Sequence, residues 1–391
     1  MDTRTRGNVL RLATAQALAG ANASVIYATG AIIGATLAPN PALATLPISV
    51  FVVGMAGGTL PAGWLARRYG RRAAFIAGTS CGVVTGLLAA LALMIGSFPL
   101  FIVATFLGGL YTSVVQSFRF AAADSAREAD RPRAVSWVMA GGIFAGVLGP
   151  QLVTWTMNLA APYTFVASYL IQAVIAVIAM AVLAGVDLPK PVAAVAAGRP
   201  LRQIIRQPQF IIAVICGVVT YLLMNFVMTS APLAMQMCGL PISESNFALQ
   251  WHIVAMYAPS FFTGSLIARF GATRVVACGM VLLTCAIGAA LSGVTLAHFS
   301  IALILLGLGW NFGFVGASSM VLATHRPEER YKVQAFNDFL VFGTIAVGSF
   351  LSGQILAGRG WAAVDLVALI PLALASLALA ISASRRRVAS A

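Results

Sequence analysis

The chain has 391 residues, 60% of them hydrophobic and 9% charged, with a mean hydropathy of +0.94. A soluble domain carries about 25% charged residues, so this composition excludes a water-soluble enzyme. The net charge of +14 is not a nucleic-acid footprint either, because the basic residues fall in alternate connections between apolar runs.

Crossing a bilayer takes about 20 apolar residues. Twelve spans are predicted, at 9–37, 42–66, 73–95, 98–122, 134–158, 162–186, 209–237, 244–268, 275–295, 298–323, 333–357 and 362–384. They divide into two six-helix bundles, 1–187 and 209–391, joined by a cytoplasmic linker at 188–208. The linker holds Pro189, Pro191, Pro200 and Pro208 with Lys190, Arg199, Arg202 and Arg206. A short amphipathic surface helix is expected at 201–206, with Ile204 and Ile205 towards lipid. Arginines before span one, after every second span and at 385–387 place both termini in the cytoplasm; Arg359 is the exception. The first apolar run is too long for a signal peptide.

In span one, Gln16, Gly20, Ala23, Tyr27 and Gly30 share one helical face, and the span carries no acid. Span two holds Gly54, Gly57 and Gly58 and ends in the run Gly63-Trp64-Leu65-Ala66-Arg67-Arg68-Tyr69-Gly70-Arg71-Arg72. Arginines at 67, 68, 71 and 72 cannot lie in hydrocarbon, where each costs a few kcal/mol or more, so the chain turns here on the cytoplasmic side. In span four, Thr105, Thr112, Gln116 and Arg119 form a stripe, and Asp124 ends the span. Arg119 suits an anionic substrate group, a structural pair with Asp124, or a snorkelling position. Gly141, Gly142, Gly146 and Gly149 make span five a close-packing helix.

Span seven places Tyr221 and Asn225 one turn apart, beside Met224 and Met228. In span eight, after Glu244, His252 lies two turns in; it reads as a packing residue or as a substrate or proton site. Span ten brings Trp310 and Asn311. Aromatics with amides on spans one, seven and ten suit a flat, partly polar ligand, or equally interhelical packing. Glu328 and Glu329 are expected to be solvated. Span eleven carries Gln334, Asn337 and Asp338, and Asp338 reads as the only carboxylate clearly within a span. Cys81, Cys216, Cys238, Cys278 and Cys285 are scattered without metal spacing. No cofactor or metal site, phosphate loop or covalent catalytic motif is recognised, so the chain does not read as an enzyme.

The run at 63–72 returns as Gly264-Ser265-Leu266-Ile267-Ala268-Arg269-Phe270-Gly271-Ala272-Thr273-Arg274. Gly63 matches Gly264, Leu65 matches Leu266, Arg68 matches Arg269 and Gly70 matches Gly271, all at one offset. A repeat half the chain long implies two similar halves, as in transporters built from repeated bundles.

The run Gly63–Arg72 resembles the loop 2–3 signature of the major facilitator superfamily, G-x-L-a-D-R-x-G-R-R. The resemblance covers essentially the whole chain. It implies an all-α polytopic protein of twelve transmembrane helices in two pseudo-symmetric six-helix bundles. It also implies a central cavity lined by spans one, four, seven and ten, and alternating access. The implied protein is a monomeric bacterial inner-membrane transporter of a small organic molecule, with protons as coupling ion and the lipid bilayer as its surroundings. Site residues implied for substrate are Gln16, Tyr27, Thr112, Gln116, Arg119, Tyr221, Asn225, His252, Trp310 and Asn311. Those implied for gating or coupling are Gly63, Arg67, Arg68, Gly70, Arg71, Asp124, Arg269 and Asp338. In the family an acid at the end of span four pairs with loop 2–3 arginines, which makes Asp124 a partner of Arg68 or Arg71.

Three departures matter. The signature's acid is Arg67 here, and the arginine expected near Thr105 is displaced to Arg119. Gly149-Pro150 matches a span-five antiporter motif only in part. Three roles for Asp338 follow: an ion-pair gate with Arg67, a proton site against Arg119, or a local cap. The runs 118–124 and 337–343 resemble an unassigned bacterial branch of the superfamily, to which a bacterial riboflavin importer is similar. The function readings are therefore uptake of a flat heteroaromatic metabolite such as a flavin, proton-driven efflux of amphiphilic compounds, or a non-transporting membrane sensor or assembly factor.

Overall fold

The computed structural model describes residues 3–40, 43, 46–188 and 198–390. Among these residues the chain is helical, with no strand. The first half contains α1 (Thr3–Leu37), α2 (Leu46–Tyr69), α3 (Arg71–Ile95), α4 (Phe98–Gln116), α5 (Phe118–Ser125), α6 (Arg131–Thr156) and α7 (Val166–Ala184). The second contains α8 (Leu201–Ile204), α9 (Pro208–Met237), α10 (Ile242–Tyr257), α11 (Ser260–Phe270), α12 (Ala272–Leu291), α13 (Leu296–Leu322), α14 (Arg330–Arg359) and α15 (Trp361–Ser390).

Among the described residues, eleven helical stretches are long and apolar enough to cross a membrane. Span four is α4 with α5, and span eight is α10 with α11, broken at Pro259 where the backbone N–H is missing. Helix α14 is also long and carries Arg330, Lys332, Gln334, Asn337 and Asp338 in its opening turns.

The chain forms two compact units. One comprises residues 1–128, 137–195 and 334–343; the other comprises 129–136, 196–333 and 344–391. In the first, α2 and α4 meet backbone to backbone: a Cβ on Gly54 would strike the Phe106 carbonyl, and one on Gly109 would strike the Phe51 carbonyl. Lipid-embedded helices gain little from apolar burial against each other, so close backbone approach through small residues supplies the packing. Helices α1 and α7 are tied by a 2.9 Å hydrogen bond between the Thr29 and Tyr169 hydroxyls. In the second unit, Gly279 of α12 packs on the backbone of Gly309 and Gly313 of α13, and Gly307 on the carbonyl of His252.

The two tight turns of the repeat have one backbone solution. Gly70 caps α3 at φ 89°, ψ 161°, and Gly271 caps α12 at φ 85°, ψ 149°. This region is open essentially to glycine alone, which is why the signature spaces glycine there in both copies.

Two expectations fail in the linker region. The helix at Leu201–Ile204 is only four residues long, and Ile204 is buried in protein rather than turned to lipid. Pro189, Lys190 and Pro191 lie outside the described residues.

Candidate functional site

Helix α4 stops at Ser117, and α5 restarts at once with Phe118 to Ala123 all buried. This break carries Arg119 and Asp124 into the first unit's interior. Helix α14 presents Gln334, Asn337 and Asp338 at i, i+3 and i+4, one face of the helix. Asp338 accepts from the Arg119 guanidinium at 2.5 Å and from the Asn337 amide at 3.0 Å. Arg119 also donates to the Gln116 carbonyl and lies 4.4 Å from the Phe120 ring centroid. Arg71, the first residue of α3, donates to Asp124 through Nε at 3.0 Å and through its terminal nitrogen at 2.5 Å, and to Gln334 at 2.5 Å.

The result is a buried network of two arginines and two aspartates, charge-balanced within itself. Arg119 is 1% exposed, so its charge depends on Asp338 for compensation. Asp124 therefore pairs with Arg71, one of the two arginines named for it. Asp338 pairs with Arg119 and not with Arg67. Arg67, Arg68 and Arg72 are exposed. Position 67 falls on the outer face of the last turn of α2, where water solvates the guanidinium. The remaining first-unit candidates lie on α1 and α4. Gln16 is buried where Gly141 of α6 approaches α1, Tyr27 stands edge-on to Phe51 at 5.3 Å, and the Thr112 hydroxyl donates to the Gly108 carbonyl.

In the second unit an aromatic cluster forms across α9, α10 and α13. Tyr221 stands edge-on to Trp310 at 5.5 Å and to Phe314 at 4.9 Å, and Trp310 stacks on Phe314 at 5.3 Å. Tyr257 adds a second edge to Trp310 at 5.5 Å. The Trp310 indole N–H is buried with no acceptor among the described residues. Asn225, one turn from Tyr221, is buried. Asn311 uses its whole amide between helices: it donates to the Met256 carbonyl and to Ser260 Oγ, and accepts from Thr263. His252 is fully buried and donates from Nδ1 to the Leu303 carbonyl at 2.7 Å.

Similarity to known proteins places the chain. The model of the Major Facilitator Superfamily matches residues 12–259. Riboflavin transporter RfnT of Brucella anthropi is 45% identical over 367 residues, 93% of this chain and 92% of that protein. The chain belongs to the major facilitator superfamily. An uncharacterised transporter of the same type, YdeG of Bacillus subtilis, is 31% identical over 90% of this chain and 86% of that one. Among solved structures, the E. coli fucose:proton symporter FucP superposes with a TM-score of 0.76 at 16% identity, over 95% of this chain and 98% of that one. The human organic anion transporter MFSD10 gives 0.77 at 14%, over 97% and 100%. At such identities these two speak for the fold alone. The protein is a multi-pass membrane transporter and not an enzyme.

Several facilitator residues escaped the sequence reading. Tyr257 and Phe314 complete the aromatic cluster: Tyr257 comes from another helix with no fixed spacing to Trp310, whereas Phe314 lies one turn on from it along α13. Glu329, expected in water, is fully buried. It accepts from Arg199 through Nε at 2.8 Å, from a terminal guanidinium nitrogen at 2.6 Å and from the Arg199 backbone at 2.8 Å. Those bonds pull its carboxyl down to about 2, well below the ordinary value, and raise that of Arg199. Asp365, near the start of α15, is a second carboxylate inside a span and corrects the reading of Asp338 as the only one. Its signal was present: an acid three residues inside a predicted apolar run.

Proposed function

We propose that this transporter imports a flat heteroaromatic metabolite of the riboflavin type across the bacterial inner membrane, by alternating access coupled to protons. The observation that carries the reading is the 45% identity to a riboflavin transporter across 93% of the chain. The chemistry of the second unit agrees with it. A tricyclic ring offers faces to Tyr221, Tyr257, Trp310 and Phe314, and ring carbonyls that could accept from the unpartnered Trp310 indole N–H. Asn225 adds an amide one turn away. The Arg119–Asp338 pair is the gating and coupling element of this reading: protonating Asp338 would release Arg119. Both termini and the loops at 67–72 and 269–274 are taken as cytoplasmic, and the working unit as a monomer.

The test is riboflavin counterflow and pH-gradient-driven accumulation in proteoliposomes. Wild type should exchange riboflavin. Tyr221→Ala and Trp310→Ala should each weaken its binding several-fold, since a lost aromatic contact costs about 1 kcal/mol. Failure of the wild type to exchange riboflavin, with export of amphiphilic cations instead, would replace import by efflux.

A further inference from the structure

Helix α15 buries a stripe of Trp361, Val364, Asp365, Ala368, Leu372, Ala375 and Leu379. The spacing of threes and fours is that of one helical face turned to protein. Every member is apolar except Asp365, which is 0% exposed. Both of its carboxylate oxygens are buried with no hydrogen-bond partner among the described residues.

Among the described residues of the helices that pack on it, none supplies a compensating charge. Helices α9 and α12 pack against α15, and the head of α13 touches it through the Phe299–Trp361 ring contact at 5.2 Å. Helix α9 has no charged residue; its titratable groups are Cys216 and Tyr221, and Tyr221 belongs to the aromatic cluster. On α12, Cys278 and Cys285 are exposed and the single charge is Arg274, also exposed. Trp361 donates to the Ala290 carbonyl, so the start of α15 lies at the far end of α12 from Arg274. At the head of α13, His298 shares a 2.7 Å hydrogen bond with the Thr295 hydroxyl. Arg359, the last residue of α14, is exposed. The partial positive charge of a helix start fades within its first turn, and Asp365 is the fifth residue of α15.

An ionised carboxylate in such a place would be a bare buried charge, far more costly than the neutral acid. A scaffold helix has no use for an acid on its buried stripe. We propose that Asp365 is a proton-binding site of the transporter, neutral in this structure, which gives up its proton when its surroundings admit water. The exchange is a simple one: a proton passes from water to a carboxylate oxygen and later returns to water. The proposal rests on the transport reading but not on the identity of the substrate.

Two measurements on the full-length protein in lipid decide it. Infrared difference spectra between acid and alkaline buffer should show a carboxylic-acid carbonyl band that is missing in Asp365→Asn. The same variant imitates the neutral acid, so it should keep the thermal midpoint of the wild type. It should nevertheless lose proton-gradient-driven riboflavin accumulation, with the inside-to-outside ratio falling to about one. Accumulation equal to wild type in Asp365→Asn, or an acid band unchanged by the substitution, would overturn the proposal. If the wild type moves no riboflavin, the import reading fails by itself, and the infrared band still decides whether Asp365 holds a proton.

Discussion

The two copies of the loop signature share a backbone and differ in what they hold. Gly70 and Gly271 adopt nearly the same left-handed conformation between helices, separated by a single residue in each copy. In the first copy the next residue is Arg71, 5% exposed, gripping Asp124 and Gln334. In the second the next residue is Ala272, and the cations Arg269 and Arg274 are exposed. Arg274 donates to the Phe270 carbonyl at 3.5 Å, within its own turn of chain. The offset that pairs Arg71 with Ala272 also pairs Asp124 with His325, so both members of the ion pair are absent from the second copy. The turn is thus a backbone device that duplicates freely. The ion pair is a separate device, installed only where an acid and an α14 amide meet it.

Making the first copy like the second should produce the largest effect. Arg71→Ala removes the guanidinium from a carboxylate only 8% exposed, and breaking one side of such a pair costs about 3–5 kcal/mol. The thermal midpoint in detergent should fall by many degrees. Arg71→Ala with Asp124→Ala should recover a large part, because no bare charge then remains. A midpoint for Arg71→Ala within a degree of wild type would mean that the pair is solvated and that the copies do not differ energetically.

The second unit compensates in its own way, and the next prediction probes it. One of its two buried acids, Glu329, is held not by a loop arginine but by Arg199, just after the linker segment that lies outside the described residues. Lys332 adds a 2.5 Å bond to the Arg199 carbonyl. The folded-state value of Glu329 lies near 2, below its ordinary 4.5. Stability from this contact is therefore complete above pH about 4.5 and is lost as pH falls towards about 2. Glu329→Gln should flatten the acid side of the stability curve between those limits. A variant curve as steep as that of wild type would show that other carboxylates set it.

How much of this was legible beforehand follows from the same contrast. The repeat, the spans and the glycine turns are periodic and local, so spacing alone exposed them. Asp124 with Arg71 was legible because an acid near a basic loop has few places to go. The Arg119–Asp338 pair was harder: the two residues are 219 positions apart, and Arg67 was an equally plausible cation until burial separated them. Glu329 was misplaced because hydropathy sees a charged triplet at a helix boundary and not the arginine that will cover it. Asn311 shows the converse. An amide in a span reads as a ligand contact, yet its partners on α10 and α11 use all of it. Asp365 went unread because a single acid barely moves the mean hydropathy of a strongly apolar run.

The smallest effect should appear where the two copies agree, at the exposed arginines. Arg68 lies 5.6 Å from the Trp64 ring and 5.5 Å from that of Tyr69, and Arg269 lies 5.1 Å from Phe270. All are solvent-facing, and an exposed cation–π contact contributes about 0.5–1 kcal/mol at most. Arg68→Cys and Arg269→Cys, each in a background lacking Cys81, Cys216, Cys238, Cys278 and Cys285, should then unfold within about 0.5 kcal/mol of that background. On the proposed orientation, their work is to hold each connection on the cytoplasmic side, together rather than singly. Both cysteines should resist an impermeant thiol reagent in intact cells and react once the membrane is opened. Labelling of one but not the other from outside would place the two copies on opposite faces. The repeat would then be an inverted one, and the parallel reading of its two turns would fail.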